Sequence, residues 1–195
     1  RPMSVARKLA CNVATVNRWF TELRRLLERH HIKPQHMYNM DETNVRIDCL
    51  NGVWLWTWRD LPELHLANPD SRIPATAIEA CSATGSTIAP FLILPGRQIP
   101  ENWVINTLID DTVLTTSQNG WSDDLIALDW LEHFDRLTKP EDFGEERLLI
   151  LDNHVSHLTV QFFERATELK IVILPLPPHP THKLQPLDIG LFNVL

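Results

Sequence analysis

Two short apolar runs separated by a helical pattern constrain the fold of this 195-residue chain more than any other feature. Residues 148–151 (LLIL) and 171–174 (IVIL) are continuously apolar, which is typical of strands buried on both faces of a sheet. Between them, a helical pattern covers about residues 158–169. A strand, a helix and a second strand in this order predict a parallel pair with a right-handed crossover.

The chain before this unit contains several patterns typical of antiparallel strands. A first strand is predicted over about residues 36–42. One hairpin joins residues 45–49 to residues 53–58 through an Asn-Gly turn, and a second joins residues 76–82 to residues 87–94. Antiparallel strands that lead into a parallel unit predict an α/β fold with a mixed sheet flanked by helices, which is the plan of a ribonuclease-H-like fold.

Three helices complete the predicted layout. The first covers about residues 15–29, and the second runs from Ser122, as its N-cap, to about Leu137. The last is predicted to begin near Pro186, because proline suits a first helical position. Residues 95–120 are rich in Pro, Asn and Asp, and we expect them to be irregular.

Composition limits the classes of function. The apolar fraction is 44% and the charged fraction is 22%, as in an ordinary globular protein. No apolar run approaches the roughly 20 residues that span a bilayer. The three cysteines form no CxxC pair, which indicates a reducing compartment. A net charge of −7 argues against a surface that binds nucleic acid everywhere, although it leaves room for a local basic groove.

Three aspartates lie at the end of a predicted strand or at the start of a predicted helix. Asp41 ends the first strand, Asp152 ends the buried strand of residues 148–151, and Asp188 lies in the first turn of the last helix. Ligands of open α/β sheets gather beyond the carboxyl ends of the strands, so these three carboxylates are expected to converge. The alternative for any single Asp is a turn or cap residue.

Converging carboxylates favour a particular chemistry. They repel one another unless cations are present, and hard oxygen ligands select Mg²⁺ or Mn²⁺. Two such ions, roughly 3.5–4 Å apart, clamp the attacking and leaving oxygens of a phosphoryl transfer. We therefore predict a site with two divalent ions in which the metal ligands and catalytic residues are Asp41, Asp152 and Asp188.

The strings around these aspartates are recognisable. They resemble the pogo/Tigger branch of the mariner-like transposases, a group of three-Asp DDE superfamily endonucleases, in residues 38–43 (YNMDET), 149–157 (LILDNHVSH) and 176–190 (LPPHPTHKLQPLDIG). Residues 76–85 (TAIEACSATG) and the start of the helix at residues 121–123 (WSD) also look like this family. The separation of Asp152 and Asp188 suits the same branch.

The resemblance implies a ribonuclease-H-like catalytic domain that cuts and rejoins DNA with Mg²⁺, over residues 36–195, and it leaves open a truncation at the C-terminus. Residues 1–35 are then a helical linker from a missing N-terminal DNA-binding region. Asp41 is expected to bridge the two ions, with flanking ligands from Asp152 and Asp188. The expected partners are element ends and target DNA, with a second copy in a homodimer, and the expected location is the nucleus. Neither a membrane nor a small-molecule substrate is expected.

Other residues keep two interpretations each. His154 and His157 either form a zinc site or orient Asp152 and contact phosphate, so they are possible auxiliary residues. Gln185, a third possible auxiliary residue, either contacts DNA or caps the last helix. Glu42 points away from Asp41 if the strand continues, which favours a structural hydrogen bond over a metal role.

Further sets of side chains have both a structural and a functional interpretation. His179 and His182 either line the mouth of the active site or pack within a loop. Trp54, Trp56 and Trp58 either stack on unpaired bases or pack in a core or an interface. A solvated helix face is the alternative to phosphate contact for Arg18, Arg24, Arg25 and Arg29. At the level of the whole chain, the alternative to a transposase is a domesticated, transposase-derived DNA-binding protein without cleavage activity, and a zinc hydrolase is the third hypothesis.

Overall fold

The structure is a computed structural model, and it describes residues 13–46, 74–99, 110–142, 144–153, 159–177 and 184–187. Its helices are α1 (Val13–Arg29), α2 (Asp124–Thr138) and α3 (Val160–Glu168), and a short 3-10 helix covers Pro34–His36. Its strands are β1 (Met37–Arg46), β2 (Pro74–Ser82), β3 (Phe91–Pro95), β4 (Val113–Ser117), β5 (Arg147–Leu151) and β6 (Ile171–Pro175).

The six strands form one mixed sheet in the order β4-β3-β2-β1-β5-β6. Strands β1, β2 and β3 pair in antiparallel fashion, whereas β5 lies parallel to both β1 and β6. The predicted α/β class, with a mixed sheet flanked by helices, is confirmed. Because β1 lies at the centre, it brings the antiparallel half and the parallel half of the sheet together.

The unit of β5, α3 and β6 has the predicted parallel arrangement. All five residues of β5 are buried, as a continuous apolar run requires. Helix α3 begins after Thr159, whose hydroxyl accepts a hydrogen bond from the Phe162 amide at 3.2 Å. Phe162 and Ala166 are buried, so α3 packs one face against the core.

Apolar layers lie on both faces of the sheet. Leu149 and Leu151 of β5 pack in the core that includes residues of α2 and α3. Leu148 and Ile150 point to the opposite face, as expected from strand alternation, and pack with Leu26 of α1. We call this second side the α1 face. The helix that was predicted to be a linker therefore packs against the sheet through Trp19, Leu23, Leu26 and Leu27.

The antiparallel half departs from the sequence-based prediction in two places. Strand β4 lies within the stretch expected to be irregular, where the β-forming residues 113–116 (VLTT) pair in parallel with β3. Of the second hairpin, β2 and β3 are confirmed, but strand β3 begins at Phe91 rather than at Thr87. Val45 and Arg46 of the first predicted hairpin belong to β1 and pair with β2, and the rest of that hairpin lies outside the described residues.

The N-cap of α2 is Asp123 and not Ser122. The Asp123 carboxylate accepts hydrogen bonds from the amides of Leu125 and Ile126, which satisfies two donors of the first turn. The Ser122 hydroxyl instead donates to Glu42 Oε1 at 2.6 Å. Both residues can cap a helix, and the contact with β1 decides between them. At the other end of the chain, Pro186 and Leu187 are helical, where the last helix was predicted to begin.

Candidate active site

The register of β1 and β5 leads toward two of the three predicted aspartates. The pairs run from Met37 with Leu148 to Asn39 with Ile150, and Met37, Leu148 and Ile150 belong to the α1 face. Asp41 and Asp152 each lie two residues beyond the last pair, so the same register, if continued, sets them side by side. Both side chains are half-buried. Because successive same-face positions are two residues apart, both carboxylates fall on the α1 face, just beyond the end of β5.

The residue next to Asp41 connects it to α2. Asp41 Oδ1 accepts a hydrogen bond of 2.9 Å from the Glu42 amide. The Glu42 side chain points to the opposite face of the sheet, where it accepts the Ser122 hydroxyl. The prediction that Glu42 makes a structural hydrogen bond is confirmed. Glu42 therefore fixes β1 against the start of α2 while its backbone amide orients the neighbouring carboxylate.

A second polar contact fixes the chain after β5. Asn153 Nδ2 donates to Leu176 O at 2.6 Å, and the Leu176 amide donates to Leu151 O at 2.7 Å. Trp19 of α1 donates its indole N–H to Pro175 O at 2.9 Å. The segment after β6 is thereby held against the segment that carries Asp152.

The short described segment 184–187 docks beside Asp41. Gln185 and Leu187 are each 1% exposed, and Leu184 packs against the apolar cluster of the α1 face. The Leu187 amide donates to Asn39 Oδ1 at 3.1 Å, and Gln185 Nε2 donates to Met40 O at 3.4 Å. The Gln185 side chain thus contacts the backbone of β1 inside the protein. Its auxiliary role stays a prediction.

Glu79 is a nearby carboxylate that the sequence analysis did not single out. It pairs directly with Asp41 across the antiparallel β1–β2 ladder, so the two side chains share a face. Burial raises the pKa of the Glu79 carboxyl above its ordinary value, because a partly desolvated carboxylate favours its neutral form. The signal that could have found it is strand alternation in residues 76–82, combined with a β1–β2 pairing that the sequence analysis had not assigned.

Several predicted residues lie outside the described residues. They are Asp188, His154, His157, His179, His182 and the three alternating tryptophans Trp54, Trp56 and Trp58. Within the described part of the chain, no three His, Cys, Asp or Glu side chains are grouped closely enough to hold a metal ion. The grouping of Asp41, Asp152 and Asp188 around metal ions stays a prediction.

The arginines of α1 lie on its solvent-exposed face. Arg18, Arg24, Arg25 and Arg29 are all exposed, and Arg25 pairs with Glu22 at 2.6 Å. This arrangement is the solvated helix face that the sequence analysis gave as one interpretation. It leaves their contact with phosphate as a prediction.

One protein-family model matches more than half of this chain. The family model of the DDE superfamily endonuclease matches residues 72–195. The chain belongs to this family. The matched region includes Asp152 and Asp188, whereas Asp41 lies upstream of it.

The chain is similar to parts of longer curated relatives. The protein named MFS-type transporter clz9 from Cochliobolus lunatus is 39% identical over 168 residues, which are 86% of this chain and 18% of that protein. The pogo transposable element with KRAB domain from Homo sapiens is 23% identical over 194 residues, which are 100% of this chain and 31% of that protein. The chain therefore spans less than a third of the length of these relatives.

Among the described residues, no helix has the length and apolar character needed to cross a membrane.

Solved structures of the Mos1 transposase have a similar fold. The Mos1 mariner paired-end complex with Mg has a TM-score of 0.55 and 15% identity, covering 94% of this chain and 48% of that chain. The Mos1 strand transfer complex has a TM-score of 0.54 and 16% identity, covering 94% and 47%. At this identity the likeness concerns the fold, and it confirms the predicted ribonuclease-H-like architecture. The family match, together with the similarity to the pogo transposable element proteins, supports the predicted recognition of a pogo-type DDE superfamily member.

Proposed function

We propose that this chain is the catalytic part of a transposase-type DNA endonuclease and strand transferase that uses two divalent metal ions held by Asp41, Asp152 and Asp188. The observation that supports the proposal is the β1–β5 register, which ends at Asn39 and Ile150 and, continued by two residues, would set Asp41 beside Asp152 on one face of the sheet. Membership of the DDE superfamily endonuclease family supports the same chemistry.

The described donor set fits Mg²⁺ or Mn²⁺. Asp41 and Asp152 supply hard carboxylate oxygens, which these ions prefer. Two half-buried carboxylates in neighbouring positions repel each other in the absence of a cation, so a bound cation stabilises the arrangement. Related Mos1 complexes are described with Mn and with Mg.

Chain connectivity supports Asp188 as the third ligand. Leu187 is docked on β1 through its amide, and Asp188 is the next residue. Consecutive Cα atoms across a trans peptide are about 3.8 Å apart, which supports the proposal that Asp188 contributes to the same site as Asp41.

The residues of the chain would act by positioning and by charge. The aspartates would hold the ions, and the Glu42 amide would keep the Asp41 carboxylate oriented. When bound, the ions would supply activation of the attacking oxygen and stabilisation of the leaving oxygen. His154 and His157 would assist by orienting Asp152 or contacting phosphate. Catalysis of this kind needs no covalent nucleophile from the protein.

The wider setting is part of the same proposal. The substrates would be element ends and target DNA, the working unit a homodimer and the location the nucleus. Residues 36–195 would form the catalytic domain, and residues 1–35 would lead from an N-terminal DNA-binding region. Because the net charge is −7, much of the affinity for DNA would come from that region.

The test is plasmid nicking by the full-length protein with Mn²⁺ or Mg²⁺. The wild type should nick DNA, and Asp41→Asn and Asp152→Asn should each lose activity by at least about 100-fold, because loss of a direct ligand exceeds the usual 10–100-fold cost of an outer-shell partner. Asp129→Asn is the matched control, because Asp129 is exposed on α2.

The outcomes separate the hypotheses. Equal nicking by the wild type and Asp152→Asn would exclude the assigned site. DNA binding without cleavage by the wild type would favour the domesticated DNA-binding protein. Stoichiometric Zn²⁺ in the purified protein, lost on substitution of His154 or His157, would favour the zinc hydrolase.

A further inference from the structure

A buried asparagine lies where three segments of the proposed active site meet. Asn39 is 4% exposed. Its Nδ2 donates to Ile150 O at 3.1 Å, and a longer contact of 3.3 Å reaches Met40 O. Its Oδ1 accepts the Leu187 amide at 3.1 Å. One side chain therefore bonds to β5 on one side and to the segment 184–187 on the other.

The contacts of Asn39 stand close in sequence to all three aspartates. Asn39 is two residues before Asp41, Ile150 is two residues before Asp152, and Leu187 directly precedes Asp188. Hydrogen bonds made by one amide group thus link all three backbone segments, in addition to the ladder that joins β1 to β5. Apolar burial holds the segments together but has no direction, whereas hydrogen bonds have preferred distances and angles.

Gln185 supports the same junction from the other segment. Its side chain is 1% exposed and Nε2 donates to Met40 O at 3.4 Å. Leu184 packs against the apolar cluster of the α1 face and Leu187 is buried, so the segment 184–187 combines apolar anchors with a polar contact to β1. A buried amide is costly unless it finds partners, and both of these amides have found backbone partners.

We propose that Asn39 and Gln185 form a polar clamp that sets the position of the Asp188 segment relative to Asp41 and Asp152. Asn39 is then a positioning residue that tunes the affinity of the divalent-ion site without touching the ions. This inference rests on the proposed function, because it concerns the geometry of the same three carboxylates. It adds a determinant of the site that lies in the interior of the protein.

The test measures Mn²⁺ affinity of the full-length protein by calorimetry. Asn39→Ala should weaken Mn²⁺ binding by about 10–100-fold, the usual effect of losing an outer-shell partner. The matched control is Thr138→Val, which removes a buried hydroxyl that bonds to Phe134 O and Arg147. It should lower stability while Mn²⁺ affinity stays within about 2-fold of the wild type, since direct and outer-shell partners carry the affinity.

A double-variant comparison shows whether Asn39 acts through the third aspartate. If it does, the losses in Mn²⁺ affinity from Asn39→Ala and Asp188→Asn are less than additive in the combined variant. Fully additive losses overturn the proposal, as does an unchanged affinity in Asn39→Ala. Should Asn39→Ala not fold, Gln185→Met keeps the buried volume and should still weaken Mn²⁺ binding, and an unchanged affinity there overturns the clamp.

The wild type separates this proposal from the proposed function. If the wild-type protein binds neither Mn²⁺ nor Mg²⁺ and nicks no DNA, the proposed function fails and the clamp has no site to tune. If the wild type binds Mn²⁺ and the variants of Asn39 and Gln185 bind it equally well, the clamp alone is wrong.

Discussion

Arg147 is a buried cation at the start of β5, at the opposite end of the strand from Asp152. Its side chain is 2% exposed. Nη2 donates to Asp135 Oδ1 at 2.6 Å and to Leu169 O at 2.5 Å, and Nη1 donates to Thr138 Oγ1 at 3.1 Å. We predict that Arg147→Met strongly destabilises the protein, because it leaves the Asp135 carboxylate and two further acceptors without their donor.

The contacts of Arg147 set the size of the effect. Removing one partner of a buried ion pair costs about 3–5 kcal/mol. The Asp135 side chain is 13% exposed, so solvent offsets little of the loss. The Arg147 Nε has no hydrogen-bond partner in the described structure, which favours the lower end of the range. At about 2–4 °C per kcal/mol for a chain of this size, the unfolding midpoint should fall by about 6–20 °C.

The assay is thermal unfolding of the wild type, Arg147→Met, Asp135→Leu and the combined variant. Each single variant leaves a charge or a set of acceptors unpaired, whereas the combined variant removes both charges. It should therefore recover much of the loss, because apolar replacement of a whole buried pair is often neutral or stabilising. A midpoint for Arg147→Met within about 2 °C of the wild type, well below the expected range, would refute this reasoning.

Two further predictions concern α2. Burial lowers the pKa of His133 below 6.5, and the neutral ring donates Nε2–H to Ala89 O at 2.8 Å. The folded state then binds fewer protons than the unfolded state, so this contribution to stability is complete above about pH 6.5 and declines below it. Between pH 7 and pH 5, the free energy of unfolding measured in urea should fall less for His133→Gln than for the wild type. An equal fall in both proteins would contradict a buried, neutral His133. Asp123→Ala should lower the free energy of unfolding by about 0.5–2 kcal/mol because it removes the N-cap, and Asp124→Ala should lower it by less. Equal losses in urea unfolding would argue against Asp123 as the cap.

The parallel half of the fold could be predicted because its signals are local. Residues 148–151 and 171–174 are long enough apolar runs to identify strands without any knowledge of their partners. Strand β4 was missed because its β-forming residues 113–116 stand within a stretch that also contains several Asp, Asn and Pro residues, which favour irregular structure. Its pairing with β3 is a tertiary contact, which composition does not reveal.

The same distinction applies to the candidate site. Asp41 and Asp152 were singled out because each was predicted to end a strand; in the structure Asp152 follows the end of β5, whereas Asp41 lies within β1, which continues to Arg46. Glu79 and Asn39 were not, because their importance depends on which strands are neighbours and in which register. A shift of one residue in the β1–β5 register would turn one of the two aspartates to the other face of the sheet. Register is therefore the property that links this fold to its proposed chemistry.

The way this register is held explains why buried amides stand beside an apolar face. An apolar side chain at position 39 would bury well against the α1 face, but it could not bond to Ile150 O and the Leu187 amide. Those bonds oppose sliding of the 184–187 segment along β1, which apolar packing alone resists weakly. If three carboxylates must meet around a pair of small ions that tolerate little distortion, a directional contact at their common junction is a physical requirement of the site.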